Sequence, residues 1–159
     1  MSNAIIRSAT LADLEGAAKL GAEIVRLHHA TNPKRFFMLD NVEYGYAAWL
    51  AEEMKRPEAV VLVAELAGRI VGYAYGAIED RDWGILVDRH GAFHDLCVDD
   101  SVRQQGVGRA LAETMLERLE QLGAPRILLR AMVQNEPAQR LASSLGFSPT
   151  MVEMTRESS

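Results

Sequence analysis

The run Leu96-Cys97-Val98-Asp99-Asp100-Ser101-Val102-Arg103-Gln104-Gln105-Gly106-Val107-Gly108-Arg109-Ala110 joins a strand to a helix. Ala92 to Val98 is β-prone through Phe93, Leu96, Cys97 and Val98, and Asp99-Asp100-Ser101 ends it. From Gly106 to Leu122 the apolar residues Val107, Leu111, Met115, Leu119 and Leu122 return at helical spacing, and Gly123 suits the C-terminal cap. Between the two, Gly106 and Gly108 let the backbone turn tightly and come close to a ligand. The unpaired N–H groups of the first helical turn then point outward with the positive end of the helix dipole behind them, a cradle for phosphate. Two familiar phosphate loops do not fit: no Lys-Ser/Thr follows Gly108, and position 111 is Leu111 where a dinucleotide loop has its third glycine. From the glycine pair alone, a helix start with no ligand is an equally good reading.

Outward from this run the chain alternates strand and helix. Ile5 to Arg7 is β-prone. Thr10 is an N-cap with Asp13 three residues on, opening an amphipathic helix over 11–29, and Asn32-Pro33 breaks it. A second helix runs from Asn41 to Lys55 with Tyr46, Trp49, Leu50 and Met54 on one face. Val60–Leu66 and Arg69–Ile78 form a hairpin about Ala67-Gly68. Glu79 to Gly91, with Trp83 and Gly84, is a loop. Arg126–Val133 is a strand, Pro137–Leu145 a short helix and Thr150–Arg156 a last strand. The order βααβββαβαβ predicts an α+β layered domain over 1–159, a mixed and mainly antiparallel sheet with helices on both faces.

The 159 residues suffice for one domain with a real core, and 17 basic against 22 acidic residues give a net charge of −5. That balance argues against a nucleic-acid partner. Cys97 is the only cysteine, so no disulfide framework is expected and a reducing, cytoplasmic setting is the default. No apolar run is long enough for a membrane helix, and the first residues lack the pattern of a signal peptide.

The assembled pattern resembles the GNAT (Gcn5-related N-acetyltransferase) superfamily nearly end to end. The opening Ile6-Arg7-Ser8-Ala9-Thr10 with Asp13, and the hairpin Val63-Ala64-Glu65-Leu66 to Ile70-Val71-Gly72-Tyr73-Ala74, are similar to the family's first strands. Leu96-Cys97-Val98 before Arg103-x-x-Gly106-x-Gly108 resembles its acetyl-CoA signature, and Asn135-x-x-Ala138-x-x-Leu141 before Leu145-Gly146-Phe147 its late helix and exit turn. The resemblance implies an acetyl-CoA fold split in a V between the fourth and fifth strands. It implies a pyrophosphate held around Arg103, Gln104, Gln105, Gly106, Val107, Gly108 and Arg109, and a pantetheine arm paired with the edge of Leu96, Cys97 and Val98. It also implies an oxyanion donor in the Leu96 N–H and a cofactor contact from Asn135.

Acetyl transfer to an amine requires an ammonium to lose a proton. His94 is the candidate base, with a side-chain pKa suited to neutral pH; a regular strand would put it on one face with Ala92, Leu96 and Val98. A histidine at a similar distance before the glycine loop relays the proton in the arylalkylamine branch that the chain resembles. A histidine packed on the sheet is the competing reading. Asp95 then points the other way, unless a β-bulge intervenes. Glu79 and Asp80 are candidates for lining the amine pocket. Members of the family often carry a tyrosine acid four residues before the exit turn, and here that position is Ala142; Tyr73 and Tyr75 are conceivable substitutes. His90, His94 and Cys97 do not make a credible metal set, so no metal is expected. Tyr44, Tyr46 and Trp49 suit either core packing or cation–π contact with an amine. The expected activity is N-acetylation of a small primary amine such as an amino acid, a polyamine or an aminoglycoside-like compound. A peptide N-terminus or lysine as acceptor, and a non-catalytic acetyl-CoA sensor, are the alternatives. A homodimer is compatible with all three.

Overall fold

The computed structural model describes residues 3–159; Met1 and Ser2, within the domain read from the sequence, lie outside the described residues. Five strands form one sheet in chain order: β1 (Ile5–Ser8), β2 (Ala59–Leu66), β3 (Arg69–Glu79), β4 (His90–Val98) and β5 (Ile127–Leu129). The first three pairings are antiparallel and β4–β5 is parallel. The β2–β3 turn carries Ala67 and Gly68 at φ 49° and 76°, the left-handed pair that a two-residue hairpin requires.

Helices α1 (Leu14–Thr31) and α2 (Val42–Glu53) cover one face of the sheet. Leu14, Ala17, Leu20 and Leu50 meet Val61, Val63, Tyr73 and Tyr75 there. On the other face α3 (Val107–Gln121) lays Val107, Leu111, Met115 and Leu119, all buried, against Leu62, Ala64, Ala74 and Phe93. Burying each of the larger side chains contributes about 1.5–3 kcal/mol. Helix α4 (Glu136–Ser144) starts at Asn135, whose amide oxygen accepts from the Ala138 N–H at 3.2 Å. Arg7 staples β1 to the start of α1, bonding Asp13 at 2.7 and 2.9 Å and Glu65 at 2.7 Å.

Mixed sheet, helices on both faces and element order agree with the sequence reading up to the last strand. Two differences stand out. The strand expected over Arg126–Val133 is paired only at Ile127–Leu129. The strand expected over Thr150–Arg156 does not form: those residues are exposed and have neither helix nor strand structure. Their β propensity has no free sheet edge of the same chain paired with it, and propensity without a partner is not a strand.

Candidate active site

Strand β4 is interrupted where the chemistry is expected. Tyr75 pairs with Asp95 and Gly76 with Phe93, so His94 has no partner on β3. This is a β-bulge, and it shifts the strand by one residue. Upstream, the Gly91 N–H points toward β5, donating to the Arg126 carbonyl at 2.9 Å. Downstream, the Asp99 N–H points toward β3, donating to Val71 at 2.8 Å. By alternation, the N–H groups of Leu96 and Val98 then point away from β3. The β4–β5 ladder holds only Gly91–Ile127, Ala92–Leu128 and Phe93–Leu129. Past Phe93 the two strands part, and the Leu96 and Val98 amides face the opening.

The bulge corrects the face expected for His94. Leu96 and Val98 pack toward α3, whereas His94 stacks on Tyr75 on the α1–α2 face (ring centroids 5.4 Å, interplanar angle 16°). Asp95 is on that face as well. It accepts hydrogen bonds from Tyr73 Oη at 2.8 Å and from Tyr46 Oη. Tyr46 reaches it because α1 has Gly21 beneath the ring: a Cβ there would stand 2.2 Å from Tyr46 Cε1. His94 Nε2 lies 3.4 Å from Glu79 Oε1. Glu79 also faces Arg56 at 3.8 Å, and Arg56 pairs with Glu53 at 2.6 Å. Glu53 accepts from Tyr75 Oη. Burial works against the Glu53 charge, yet the hydrogen bonds from Tyr75 and Arg56 hold its carboxyl below the usual range. Burial and these carboxylates push both the Tyr46 and Tyr75 hydroxyls up, so they remain donors at neutral pH.

A cavity of about 620 Å³ opens beside His94 where β4 and β5 part. Glu79, Asp82, Trp83, Phe93, His94 and Arg130 are among its walls, and Asp80 also lines it. Glu79 and Asp80 both border the cavity. Tyr73 and Tyr75 do not: their hydroxyls are tied to Asp95 and Glu53. Ala142 is buried on α4. Cys97 is half-buried, with its thiol pushed up to about 12 chiefly by burial. His90 Nδ1 bonds the Asp88 carbonyl at 2.8 Å, and His90 pairs with Glu79 in the β3–β4 ladder. His28 and His29 bond the carbonyls of Ile24 and Phe36 at 2.7 and 2.8 Å and close the end of α1. Among the described residues, no group of three His, Cys, Asp or Glu is arranged to hold a metal.

On the other side of the opening, residues 103–106 lead into α3. Gln104 and Gly106 both have positive φ, 61° and 82°. A Cβ on Gly106 would meet nothing within 4 Å, and one on Gly108 only Val98 Cγ2 at 3.5 Å. The protein's own packing therefore does not demand glycine at 108; the left-handed turn does at 106. What the two glycines leave is open main chain at a helix N-terminus, which fits a pyrophosphate. Arg103 pairs with Asp100 at 2.7 Å, and Arg109 reaches Ser144 Oγ at 2.6 Å. Asn135 uses its amide oxygen in the α4 cap, and its amide nitrogen is free of that bond. Sequence reasoning missed Tyr46–Asp95, partners 49 positions apart in the chain, and the Glu53–Arg56–Glu79 chain.

Residues 22–147 match the family described as Acetyltransferase (GNAT) family. An N-alpha-acetyltransferase of Sulfurisphaera tokodaii is 27% identical over 155 residues, 92% of this chain and 81% of that one. A mycothiol acetyltransferase of Thermomonospora curvata is 29% identical over 126 residues, 75% of this chain and 39% of the relative. Among solved structures, AAC(6')-Iy in complex with the bisubstrate analogue CoA-S-monomethyl-acetylneamine superposes with a TM-score of 0.77 at 19% identity, covering 99% of each chain. No helix among the described residues is long and apolar enough to cross a membrane. With its sheet split past Phe93 and an open glycine turn ahead of α3, the chain belongs to the GNAT family and is an acetyl-CoA-dependent N-acetyltransferase.

Proposed function

We propose that the chain, read as one acetyltransferase domain, transfers acetyl to a primary amine of a small molecule by direct attack on the thioester. The observation that carries this reading is the cavity of about 620 Å³ with His94 and Glu79 on its wall, 3.4 Å apart. That volume is of the size that small ligands fill. Acetyl-CoA supplies the activated carbonyl when bound.

The chain's own groups do the rest. Amides around Gln105, Gly106, Gly108 and Arg109 take the pyrophosphate, and the Val98 and Leu96 edge pairs with the pantetheine arm. The Leu96 N–H donates at the carbonyl oxygen where negative charge builds. An ammonium entering beside Glu79 gives its proton to His94, and Glu79 steadies the imidazolium that results. The hydroxyls of Tyr46, Tyr73 and Tyr75 are tied to Asp95 and Glu53, and position 142 is alanine. A thiol with a pKa of about 8.5 leaves as thiolate without an acid.

A second reading has its own support: the N-alpha-acetyltransferase relative favours a peptide N-terminus as acceptor. A thiol-release assay with acetyl-CoA distinguishes the two. Amino acids, polyamines and aminoglycosides form one arm and short peptides with free N-termini the other. Turnover with a small amine, and little with peptides, is the expected result; turnover confined to peptides overturns the first reading in favour of the second. A reducing cytoplasmic location is part of the proposal, supported by the single, half-buried cysteine.

A further inference from the structure

The parallel ladder between β4 and β5 ends at the pair Phe93–Leu129. The next residue on β4 is His94, and the next on β5 is Arg130. The two stand on either side of the first step of the opening, and both line the cavity of about 620 Å³. Paired strands run about 4.8 Å apart, and past the fork the gap widens, so one small molecule can touch both residues. Most of the charges around this cavity are engaged with the protein itself. Asp80 bonds Arg89 at 2.8 Å, Arg81 bonds Asp88 at 3.0 and 3.2 Å, and Asp82 accepts from the Gly84 N–H at 2.7 Å. These contacts fasten the loop between β3 and β4. Glu79 lies between Arg56 and His94. Arg130 differs: its side chain makes no hydrogen bond and no ion pair among the described residues. Its charge is felt by Glu153, but that carboxylate is already bonded to Arg35 at 2.7 and 3.0 Å. The phosphates of acetyl-CoA do not call for Arg130 either. They belong to the open turn at Gly106, ahead of α3 on the other side of the opening, and the pantetheine arm carries no charge.

We propose that Arg130 selects the acceptor: the enzyme acetylates primary amines that carry an anionic group, with the amine at His94 and Glu79 and the anion at the Arg130 guanidinium. This rests on the acceptor being a small molecule. The guanidinium fork offers parallel N–H donors to a carboxylate or a phosphate. The acceptor's two groups then meet opposite charges, which fixes its direction as well as its composition. A polyamine would set a second ammonium against Arg130 and is selected against. Transfer leaves the anion unchanged. The amine nitrogen bonds the acetyl carbon, its proton goes to His94, and the C–S bond breaks with its electron pair leaving on the thiolate.

The test is thiol release from acetyl-CoA with matched acceptors. Alanine, β-alanine and γ-aminobutyrate, which vary the spacing of amine and carboxylate, are set against propylamine. Phosphoethanolamine is set against ethanolamine, putrescine supplies the dication, and short peptides complete the panel. kcat/KM is expected to be at least about tenfold higher for the anion-bearing acceptors. Arg130→Gln should bring the ratio close to one. Arg130→Glu should turn the preference toward putrescine, a gain that loss of fold cannot produce. Circular dichroism and the thermal shift given by acetyl-CoA establish that each variant is folded. A preference for the amino acids alone, or for phosphoethanolamine alone, supports the proposal and names the anion. Plain amines or putrescine turned over by the wild type as well as the anionic acceptors overturn it and leave the small-amine reading standing. So does a preference that survives Arg130→Gln. Turnover confined to peptides, or absent with every acceptor, overturns both.

Discussion

The two sides of β4 beyond Phe93 are built on opposite principles. Toward β5 and α3 the chain offers main chain and space: amides without a β5 partner, a left-handed glycine and nothing within 4 Å of it. Toward α1 and α2 it offers side chains that hold one another: Tyr46 and Tyr73 on Asp95, Tyr75 on Glu53, His94 stacked on Tyr75 and facing Glu79. The first side suits a large, flexible cosubstrate that must enter and leave, because backbone donors need no rotamer to be ordered. The second suits a proton transfer, which depends on a side chain held in one place. The bulge at His94 lies between them and serves both, turning the Leu96 amide to one side and the His94 ring to the other.

His94→Ala would break this division most severely. Thiol release should fall by about 10²–10⁴-fold, the usual loss for a general base, with acetyl-CoA affinity unchanged. A larger loss from Asp95→Asn than from His94→Ala, in the same steady-state assay, would move the base to Asp95. Gly21→Ala attacks the wall behind the site. The new methyl would displace the Tyr46 ring and strip a donor from Asp95, costing about 1–3 kcal/mol of stability, read by chemical denaturation. kcat should fall, while KM for acetyl-CoA should hold. Tyr46→Phe keeps the ring and removes only the hydroxyl, so it should cost less, about 1 kcal/mol. Its turnover should fall less than that of Gly21→Ala, because the ring keeps its place.

The smallest effect sharpens the comparison from a distance. The Arg7 hydrogen bonds hold the Asp13 carboxyl well below the usual carboxylate range, against the effect of burial. A depressed folded pKa contributes stability that is present above the unfolded value of about 3.9 and is lost as pH falls below it. Melting curves should therefore show the wild type losing its lead over Asp13→Asn between about pH 4 and pH 2. Turnover at neutral pH should be nearly the same for both, because the staple joins β1 to α1 and touches neither side of β4.

What was legible in the sequence was whatever repeats. Val107, Leu111, Met115 and Leu119 recur every four residues, and all four are buried on one helix face. The hairpin about Ala67-Gly68 announced itself by its turn. The glycine loop lies between a β-prone run and a run of helical spacing, both legible in the sequence. The bulge could not be read there, because one extra residue in a strand leaves no mark in composition, and His94 and Asp95 are acceptable on either face. Nor could Tyr46–Asp95, which depends on how α2 settles on the sheet. One signal was available: Gly21 interrupts the apolar run of a long helix, and a glycine there calls for something close above it. The strand read at Thr150–Arg156 failed for a different reason, since a strand is a pairing and the sequence of one segment does not name its partner.

The most direct test of the two-sided account is acetyl-CoA binding, measured by calorimetry on wild type, Gly106→Val and His94→Ala. A β-branched residue at φ 82° both strains the turn and fills the open ground ahead of α3. Gly106→Val should lose binding by at least about a hundredfold, roughly 2.7 kcal/mol. His94→Ala should bind as the wild type does. Gly106→Val binding at wild-type affinity, or His94→Ala losing the cosubstrate, would contradict the assignment of the two sides.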